Sequence, residues 1–206
     1  FILYINILER RYSILDIKNK KIGFVLTGSF CTFKNTISQI KKIVEKGAEI
    51  IPIMSTHSYE MDTKFGAAKD FIEEIETITN KKIIHTIQGA EPIGPKSMTD
   101  IMVVAPCSGN TLAKLNHAIT DTPALMSVKS HLRNGNPVVI GISTNDGLSA
   151  SAINIGSLLN RREYYFIPFR QDNPITKPRS LVFDPKYMIP TIEKALENEQ
   201  IQPILL

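Results

Sequence analysis

The sequence predicts an α/β protein, with a doubly wound, Rossmann-like parallel sheet of about six strands in a three-layer α/β/α arrangement. Short uninterrupted apolar runs, such as IMVVA at residues 101–105, are typical of strands covered on both faces. Between these runs lie segments whose apolar residues recur every three or four positions, as Ile37, Ile40 and Ile43 do. Strands that alternate with helices in this way are joined by crossovers onto a parallel sheet.

The elements follow from these patterns and from their boundary residues. Six strands are predicted, at residues 22–26, 48–54, 83–87, 101–105, 137–142 and 164–168. The first helix begins after Phe30 and ends at Gly47, a residue suited to a helix C-terminus. Further helices are predicted at residues 63–79, 111–117, 123–132, 150–159 and 189–198.

The domain prediction separates a short extension from one folded unit. Residues 1–15, FILYINILERRYSIL, hold too few apolar residues to span a bilayer and lack a small-residue cleavage site. We therefore expect residues 1–15 to be an N-terminal extension outside the core and residues 16–206 to form a single domain. A chain of 206 residues with 43% apolar content is large enough to bury one core without disulfides or metals.

Charge and cysteine content argue against several function classes. The net charge is +4, but the lysines are scattered and no basic run is interleaved with aromatic residues, so no nucleic-acid partner is predicted. Cys31 and Cys107 form no C-x-x-C pair and lie near no histidine at ligand spacing. We therefore expect a cytoplasmic protein with no disulfide, no bound metal and no membrane association.

Two polar loops follow predicted strands one and four. The first is Thr27-Gly28-Ser29-Phe30, and the second is Pro106-Cys107-Ser108-Gly109-Asn110-Thr111, which opens into a helix. In a doubly wound sheet these two strands flank the crevice where ligands bind, at the carboxyl ends of the strands. Free N–H groups at a helix N-terminus attract anions. The sequence therefore predicts a phosphate site between the two loops.

The loops favour a mononucleotide over a dinucleotide or a nucleoside triphosphate as the ligand. The first loop has one glycine where a dinucleotide fold has G-x-G-x-x-G, and no acidic residue ends the second strand. A Walker sequence is absent as well, so hydrolysis of nucleoside triphosphates has no support. The phosphate of a mononucleotide is expected to bind side chains at strand ends: Ser29, Ser55, Ser108, Asn110 and Thr111. Any one of the three serines, taken alone, is more often a helix cap.

The segment APCSGNTLAK, the TDTP turn and MSVKSHLRNGNPVV resemble the homo-oligomeric flavin-containing Cys decarboxylase superfamily. Within it, AEPIGPKSMTDIMVVAP, VVIGISTNDGLSA and YFIPFRQDNPITKP are similar to the B-subunit family of dipicolinate synthases from spore-forming bacteria. The resemblance runs from about Lys20 to the C-terminus. It implies FMN as the cofactor and extends the cofactor-binding set to Thr27, Gly28, Phe30, Pro106, Cys107, Gly109, Met126 and Ser143.

The resemblance also implies an activity and partners. The implied function is the oxidation of dihydrodipicolinate, or hydroxytetrahydrodipicolinate, to pyridine-2,6-dicarboxylate during sporulation. An NAD(P)-binding partner, the A-subunit of dipicolinate synthase, and a homo-oligomer made of trimers are implied too, with the 121–133 segment facing a neighbour. A dicarboxylate substrate calls for cations, and the basic loop after the last strand offers Arg170, Lys177 and Arg179.

The sequence departs from the superfamily that it resembles at two positions that matter for chemistry. Cysteine decarboxylases carry a histidine just before strand four, where this sequence has Gly94-Pro95-Lys96-Ser97, and flavin prenyltransferases carry an arginine where this sequence has Ser143-Thr144-Asn145-Asp146. No catalytic acid or base can be assigned. Two alternatives to an oxidoreductase subunit stay open: a flavin-binding scaffold without its own redox turnover, and, ranked lower, a flavin-dependent cysteine decarboxylase-like enzyme.

Overall fold

The sheet of the computed structural model, which describes residues 16–206, contains seven strands in one layer. Five of them are parallel and lie in the order β2-β1-β3-β4-β5. Their bounds are β1 Lys21–Leu26, β2 Glu49–Met54, β3 Ile101–Cys107, β4 Val138–Thr144 and β5 Tyr164–Phe166. The last two strands, β6 Phe169–Asn173 and β7 Lys177–Phe183, form an antiparallel hairpin.

The outer edge of β4 is divided between two partners. Its first half, Val138 to Ile140, pairs with β5 in parallel register. Its carboxyl end, Ser143 and Thr144, pairs with β7 in antiparallel register. The hairpin therefore begins where the parallel sheet ends and extends the sheet beyond the carboxyl ends of its strands.

Helices cover both faces of the sheet, as the predicted three-layer α/β/α fold requires. One group of contacting helices is α1 Phe33–Glu45, α3 Ala68–Thr79 and α8 Met188–Leu196. A second group is α4 Ile87–Ala90, α5 Gly109–Asn116, α6 Pro123–Leu132 and α7 Ala152–Leu159, and the short α2 Thr56–Glu60 follows β2. Three 3-10 helices lie at Phe30–Thr32, Glu91–Ile93 and Pro185–Tyr187. No helix within residues 16–206 is long and apolar enough to cross a membrane.

The core lies between these layers, and the central strands are the most deeply buried elements. Every residue of β3 is buried, as is every residue but the first of β1 and of β2. The apolar side of each flanking helix faces the same core, for example through Phe33, Ile37 and Ile40 of α1. Uninterrupted burial on both faces explains why these strands have no alternating pattern in the sequence.

The fold class is confirmed, but two of the predicted elements are wrong. Residues 83–87 form no strand: only Ile84 bridges Ile53, and the Thr86 side chain then accepts from Gly89 N–H to begin α4. The proline-rich segment after the sixth predicted strand is the β6–β7 hairpin, not a loop. Its turn is stabilised by the Asn173 carboxamide oxygen, which accepts from the N–H groups of Ile175 and Thr176 at 3.0 and 2.9 Å.

The predicted helix at residues 63–79 begins later than expected, at Ala68. Residues Thr63 to Gly66 instead form a tight turn closed by two backbone hydrogen bonds of 3.0 and 3.1 Å. Gly66 has a φ of +150°, and a Cβ at this position would lie 2.7 Å from the Phe71 ring. The glycine therefore allows the turn to pack against the first residues of the helix, and the helix begins only after the turn. The predicted extension, residues 1–15, lies outside the described residues.

Candidate functional site

A cleft of about 960 Å³ opens at the carboxyl ends of the parallel strands, where a doubly wound sheet binds its ligands. Both predicted loops reach it. From the predicted cofactor set, the cleft is lined by Gly28, Ser29, Phe30, Gly109, Asn110 and Ser143. The hairpin, the end of β4 and the Thr63–Gly66 turn contribute further residues, among them Arg170, Lys177, Thr144, Asp146, Lys64 and Phe65.

The side chain of Thr27 links the two loops and does not reach the cleft. It is 1% exposed, and its hydroxyl donates to the Pro106 carbonyl at 2.8 Å and accepts from Ser108 N–H at 3.0 Å. Ser29 makes a similar cross-connection, because its hydroxyl donates to the Ser143 carbonyl at 2.6 Å. These bonds fix the ends of β1, β3 and β4 relative to one another.

Helix α5 begins at the edge of the cleft with two unused donors. Ser108 is its N-cap, and the Ser108 side chain accepts from Thr111 N–H at 3.3 Å. The N–H groups of Gly109 and Asn110 donate to no other residue within the described part of the chain. Both residues line the cleft. An anion in the cleft would meet two backbone donors at the positive end of the helix.

Gly109 is required by the close approach of the loop after β4. A Cβ at residue 109 would lie 2.6 Å from Thr144 Oγ1, 2.7 Å from Ser151 Oγ and 2.8 Å from Asp146 Oδ1. The two hydroxyls donate to that same Asp146 oxygen, at 2.5 and 2.8 Å. Asp146 is thus a half-buried cleft carboxylate, and its hydroxyl partners disperse the negative charge that it brings near the helix N-terminus.

Six further predicted cofactor residues do not line the cleft: Ser55, Pro106, Cys107, Ser108, Thr111 and Met126. Ser55 is buried as the N-cap of α2 and bonds to Ser58, so here the helix-cap interpretation holds. Pro106 and Cys107 lie within buried β3, and Thr111 is buried behind Ser108, whose hydroxyl it contacts at 3.0 Å. Burial raises the pKa of the Cys107 thiol far above its ordinary value, which keeps the thiol protonated. Met126 is half-buried on α6.

The predicted substrate cations lie on the hairpin, but only two line the cleft. Arg170 Nη1 lies 3.4 Å from Asp184 Oδ2, and Lys177 Nζ lies 2.6 Å from Asp172 Oδ2. The hydrogen bond from Lys177 to Asp172 raises the pKa of that ammonium, so Lys177 stays charged. Arg179 is exposed and is not part of the cleft lining. The structure therefore separates Arg170 and Lys177 from Arg179.

Lys64, Phe65 and Asp146 line the cleft but were not among the predicted site residues. Asp146 follows the carboxyl end of a parallel strand, the same signal that predicted both loops, so its position was accessible to sequence reasoning. Lys64 and Phe65 lie in a segment predicted as helix, so no sequence signal placed them at the cleft. None of the four histidines, all within the described residues, lines it.

Comparisons with known proteins identify the family of the chain. The flavoprotein family model matches residues 11–155. The dipicolinate synthase B-subunit of Bacillus subtilis (strain 168) is 44% identical over 191 residues, which are 93% of this chain and 96% of that protein. The crystal structure of the dipicolinate synthase B-subunit from Bacillus halodurans C is 46% identical, with a TM-score of 0.85 and coverage of 93% of this chain and 98% of that one.

A more distant structure shares the fold alone. The FMN-dependent cysteine decarboxylase SpaF is 18% identical and superposes with a TM-score of 0.62, over 88% of this chain and 97% of that chain. The family model covers more than half of the chain, and the Bacillus subtilis relative extends the match over nearly all of it. The chain therefore belongs to the flavoprotein family, together with the B-subunits of dipicolinate synthase.

Proposed function

We propose that this chain is the FMN-binding subunit of a dipicolinate synthase. In this role it takes part in oxidising dihydrodipicolinate, or hydroxytetrahydrodipicolinate, to pyridine-2,6-dicarboxylate. The observation that carries the proposal is that one cleft combines neutral donors at strand and helix ends with cations on the hairpin. The similarity to the Bacillus subtilis B-subunit over nearly its whole length supports the choice of substrate.

The residues present fit the phosphate of FMN. The donors at the cleft are the N–H groups of Gly109 and Asn110 and the Asn110 side chain, with Gly28 and Ser29 facing them from the other loop. These donors are neutral and are fixed by Thr27 and Ser108, so little ordering is needed when an anion binds. The other predicted residues, Ser55, Cys107, Thr111 and Met126, lie outside the cleft lining and have no part in this phosphate site.

The reaction would require little acid–base chemistry from the protein. Forming the pyridine ring from a dihydropyridine removes one hydride and one proton. When bound, flavin supplies the hydride acceptor. The chain's own residues orient the ring and bind its carboxylates, for which Arg170 and Lys177 are in the cleft. Asp146, held by Thr144 and Ser151, is the cleft carboxylate that can accept the proton.

The proposal includes partners and a cellular setting. The partner is the A-subunit of dipicolinate synthase, which binds NAD(P), and the pair works in the cytoplasm of a sporulating cell. The chain forms a homo-oligomer of one or more trimers. The name of the Bacillus subtilis relative, a B-subunit, supports the existence of a partner subunit.

The test begins with the purified protein. We expect its visible spectrum to show a flavin and the mass of the released cofactor to be that of FMN. Anaerobic mixing with dihydrodipicolinate in the presence of the A-subunit should bleach the flavin absorbance and produce pyridine-2,6-dicarboxylate. A protein that binds no flavin when supplied with FMN would contradict the proposal.

A second candidate is a scaffold that binds FMN without redox turnover and supports the catalytic partner. It is favoured by the lack of a free carboxylate or histidine among the described residues of the cleft. One carboxylate oxygen of Asp146 already accepts hydrogen bonds from two hydroxyls, and no histidine lines the cleft. The same anaerobic experiment separates the two candidates. A flavin that stays oxidised while the reconstituted pair makes product would establish the scaffold role.

A further inference from the structure

The two residues at the tip of the Thr63–Gly66 turn, Lys64 and Phe65, lie at the cleft, and neither side chain is part of the buried core. Both line the cleft and both are exposed, Phe65 by 41%. An exposed phenylalanine beside a lysine is an unusual pair for a turn, where small polar residues are preferred. The turn follows β2, at one end of the strand order, whereas the hairpin lies at the other end. The cleft is thus approached by cations from two sides.

Lys64 differs from the hairpin cations because it has no anionic partner among residues 16–206. Arg170 is paired with Asp184 and Lys177 with Asp172. Within residues 16–206, no carboxylate oxygen lies within 4 Å of Lys64 Nζ, which instead lies 5.3 Å from the centre of the Phe65 ring. An anion in the cleft would compete with existing partners for Arg170 and Lys177, but Lys64 can bind it without breaking an ion pair.

The turn that presents Lys64 is held in place by two hydrogen bonds and by packing on an aromatic cluster. Phe65 N–H donates to Thr63 Oγ1 at 3.2 Å, and Ala68 N–H donates to Asp62 Oδ1 at 2.8 Å. Gly66 packs directly on Phe71, whose ring meets Phe33 edge-on at a centroid distance of 5.2 Å. Phe30, a cleft residue, also packs on Phe33, with tilted rings and a centroid distance of 5.0 Å. The turn is therefore built onto the same aromatic cluster that supports the first loop, which limits the ordering cost of binding.

A cation and an exposed aromatic ring side by side match an aromatic carboxylate. The ammonium can bind the carboxylate group, while the phenyl ring packs against the face or edge of the ligand ring. Resting on the proposed function, we infer that Lys64 binds a ring carboxylate of the pyridine dicarboxylate and that Phe65 contacts its ring. The phosphate of FMN remains with the neutral donors of the two loops, and Lys64 determines specificity for the substrate.

The test is a calorimetric titration of the full chain with pyridine-2,6-dicarboxylate in metal-free buffer, with pyridine as the ligand that lacks carboxylates. Lys64→Gln should weaken dicarboxylate binding about tenfold or more, and Lys64→Arg should restore most of it. Lys69→Gln is the matched control, since the Lys69 side chain is 81% exposed and lies outside the cleft. Phe65→Ala should weaken binding of both ligands, about threefold to tenfold.

Flavin content, measured on the same samples, separates this inference from the proposed function. Calorimetry does not require a flavin signal, so a protein that binds no flavin when supplied with FMN would contradict the proposed function while the titrations still report on Lys64. Dicarboxylate affinity within twofold of wild type in Lys64→Gln would overturn the inference. So would a wild-type protein that does not bind the dicarboxylate. Loss of FMN but not of riboflavin binding in Lys64→Gln would assign Lys64 to the cofactor phosphate and overturn it as well.

Discussion

The two sides of the cleft differ in how their polar groups are satisfied. On the loop side, formed by residues 27–30 and 108–111, the donors are neutral and are connected by buried hydrogen bonds such as those of Thr27. On the hairpin side, formed by β6, β7 and Asp184 after them, the polar groups are ions held in pairs, and both cations are exposed. Buried neutral networks are rigid and costly to disrupt, whereas exposed ion pairs contribute little to stability and exchange partners readily. The loop side therefore suits a resident cofactor and the hairpin side a substrate that comes and goes.

The strongest test of this comparison is Gly109→Ala. The added Cβ would lie 2.6 to 2.8 Å from three oxygen atoms, so the loop after β4 must move away from α5. This movement should lower the free energy of unfolding by about 3 kcal/mol. Flavin should be lost as well, because the donors of Gly109 and Asn110 move with the helix. Urea denaturation and the flavin-to-protein ratio measure the two effects.

Gly156→Ala is the matched control for that substitution. Gly156 lies in α7, and apart from its two chain neighbours and the backbone of its own helix, no atom of the described structure would lie within 4 Å of a Cβ there. Alanine in a helix should raise the free energy of unfolding by about 0.5–1 kcal/mol and leave flavin content unchanged. Equal effects of the two substitutions would contradict the close approach at Gly109.

Thr27→Val tests the link between the two loops. Valine has nearly the same shape, but it leaves Ser108 N–H without its acceptor in a part-buried position, at a cost of about 2 kcal/mol. We expect weaker FMN retention in equilibrium dialysis, because the α5 N-terminus is no longer fixed against β1. Thr27→Ser keeps the hydroxyl and should retain most of the stability and the cofactor. If valine and serine behave alike, the hydroxyl has no such role.

His131 provides a comparison far from the cleft, before the amino ends of β3 and β4. It is 1% exposed, and its Nε2 lies 3.0 Å from the Pro137 carbonyl, so this nitrogen must carry the proton and donate. The neutral Nδ1 then accepts from the Thr99 hydroxyl at 2.7 Å. Desolvation by burial lowers the pKa of His131 and outweighs the opposing effects of the Pro137 bond and the Asp100 charge.

A lowered pKa in the folded protein fixes the sign of the pH effect. Stability from the neutral imidazole is fully present above the unfolded pKa of about 6.5 and is lost as the pH falls below it toward the folded pKa, by at most about 1.4 kcal/mol per pH unit. Urea denaturation between pH 7.5 and 5 measures this slope. His131→Gln, which removes the buried titrating group, should reduce the slope. Flavin content at a pH where the protein remains folded should be unaffected, since His131 does not line the cleft.

The sequence predicted the loop side better than the hairpin side, for a physical reason. Strands β1 and β3 are buried on both faces, so their residues are apolar throughout and the polar residues after them mark the strand ends unambiguously. In the hairpin, Pro174 and Pro178 indicated a loop. The structure accommodates Pro174 in the turn and Pro178 in β7. Within β7, buried and half-buried residues alternate only at Leu181, Val182 and Phe183.

The residues that sequence reasoning missed depend on tertiary contacts. Lys64 reaches the cleft because Gly66 packs on Phe71 and keeps residues 63–66 out of the helix, and no local pattern reports that contact. Thr27 was predicted to bind the cofactor, yet its hydroxyl bonds to residues 79 and 81 positions away. A strand-end threonine has the same sequence signature whether it contacts a ligand or a neighbouring loop.

The smallest expected effect on stability belongs to the hairpin cations. The Arg170 side chain is 53% exposed and its pairing distance to Asp184 is 3.4 Å, so Arg170→Gln should change the free energy of unfolding by less than about 1 kcal/mol. Its effect should appear in the reaction, as a rise of about threefold to tenfold in the dicarboxylate concentration giving half-maximal turnover, with flavin content intact. Arg179→Gln is the control, because this arginine lies on the same hairpin but outside the cleft lining. Steady-state kinetics of this chain reconstituted with the A-subunit would measure the difference between the two variants. Equal responses to the two substitutions would show that the hairpin does not bind the substrate. Lys64 would then be the cleft cation to which the carboxylate binds.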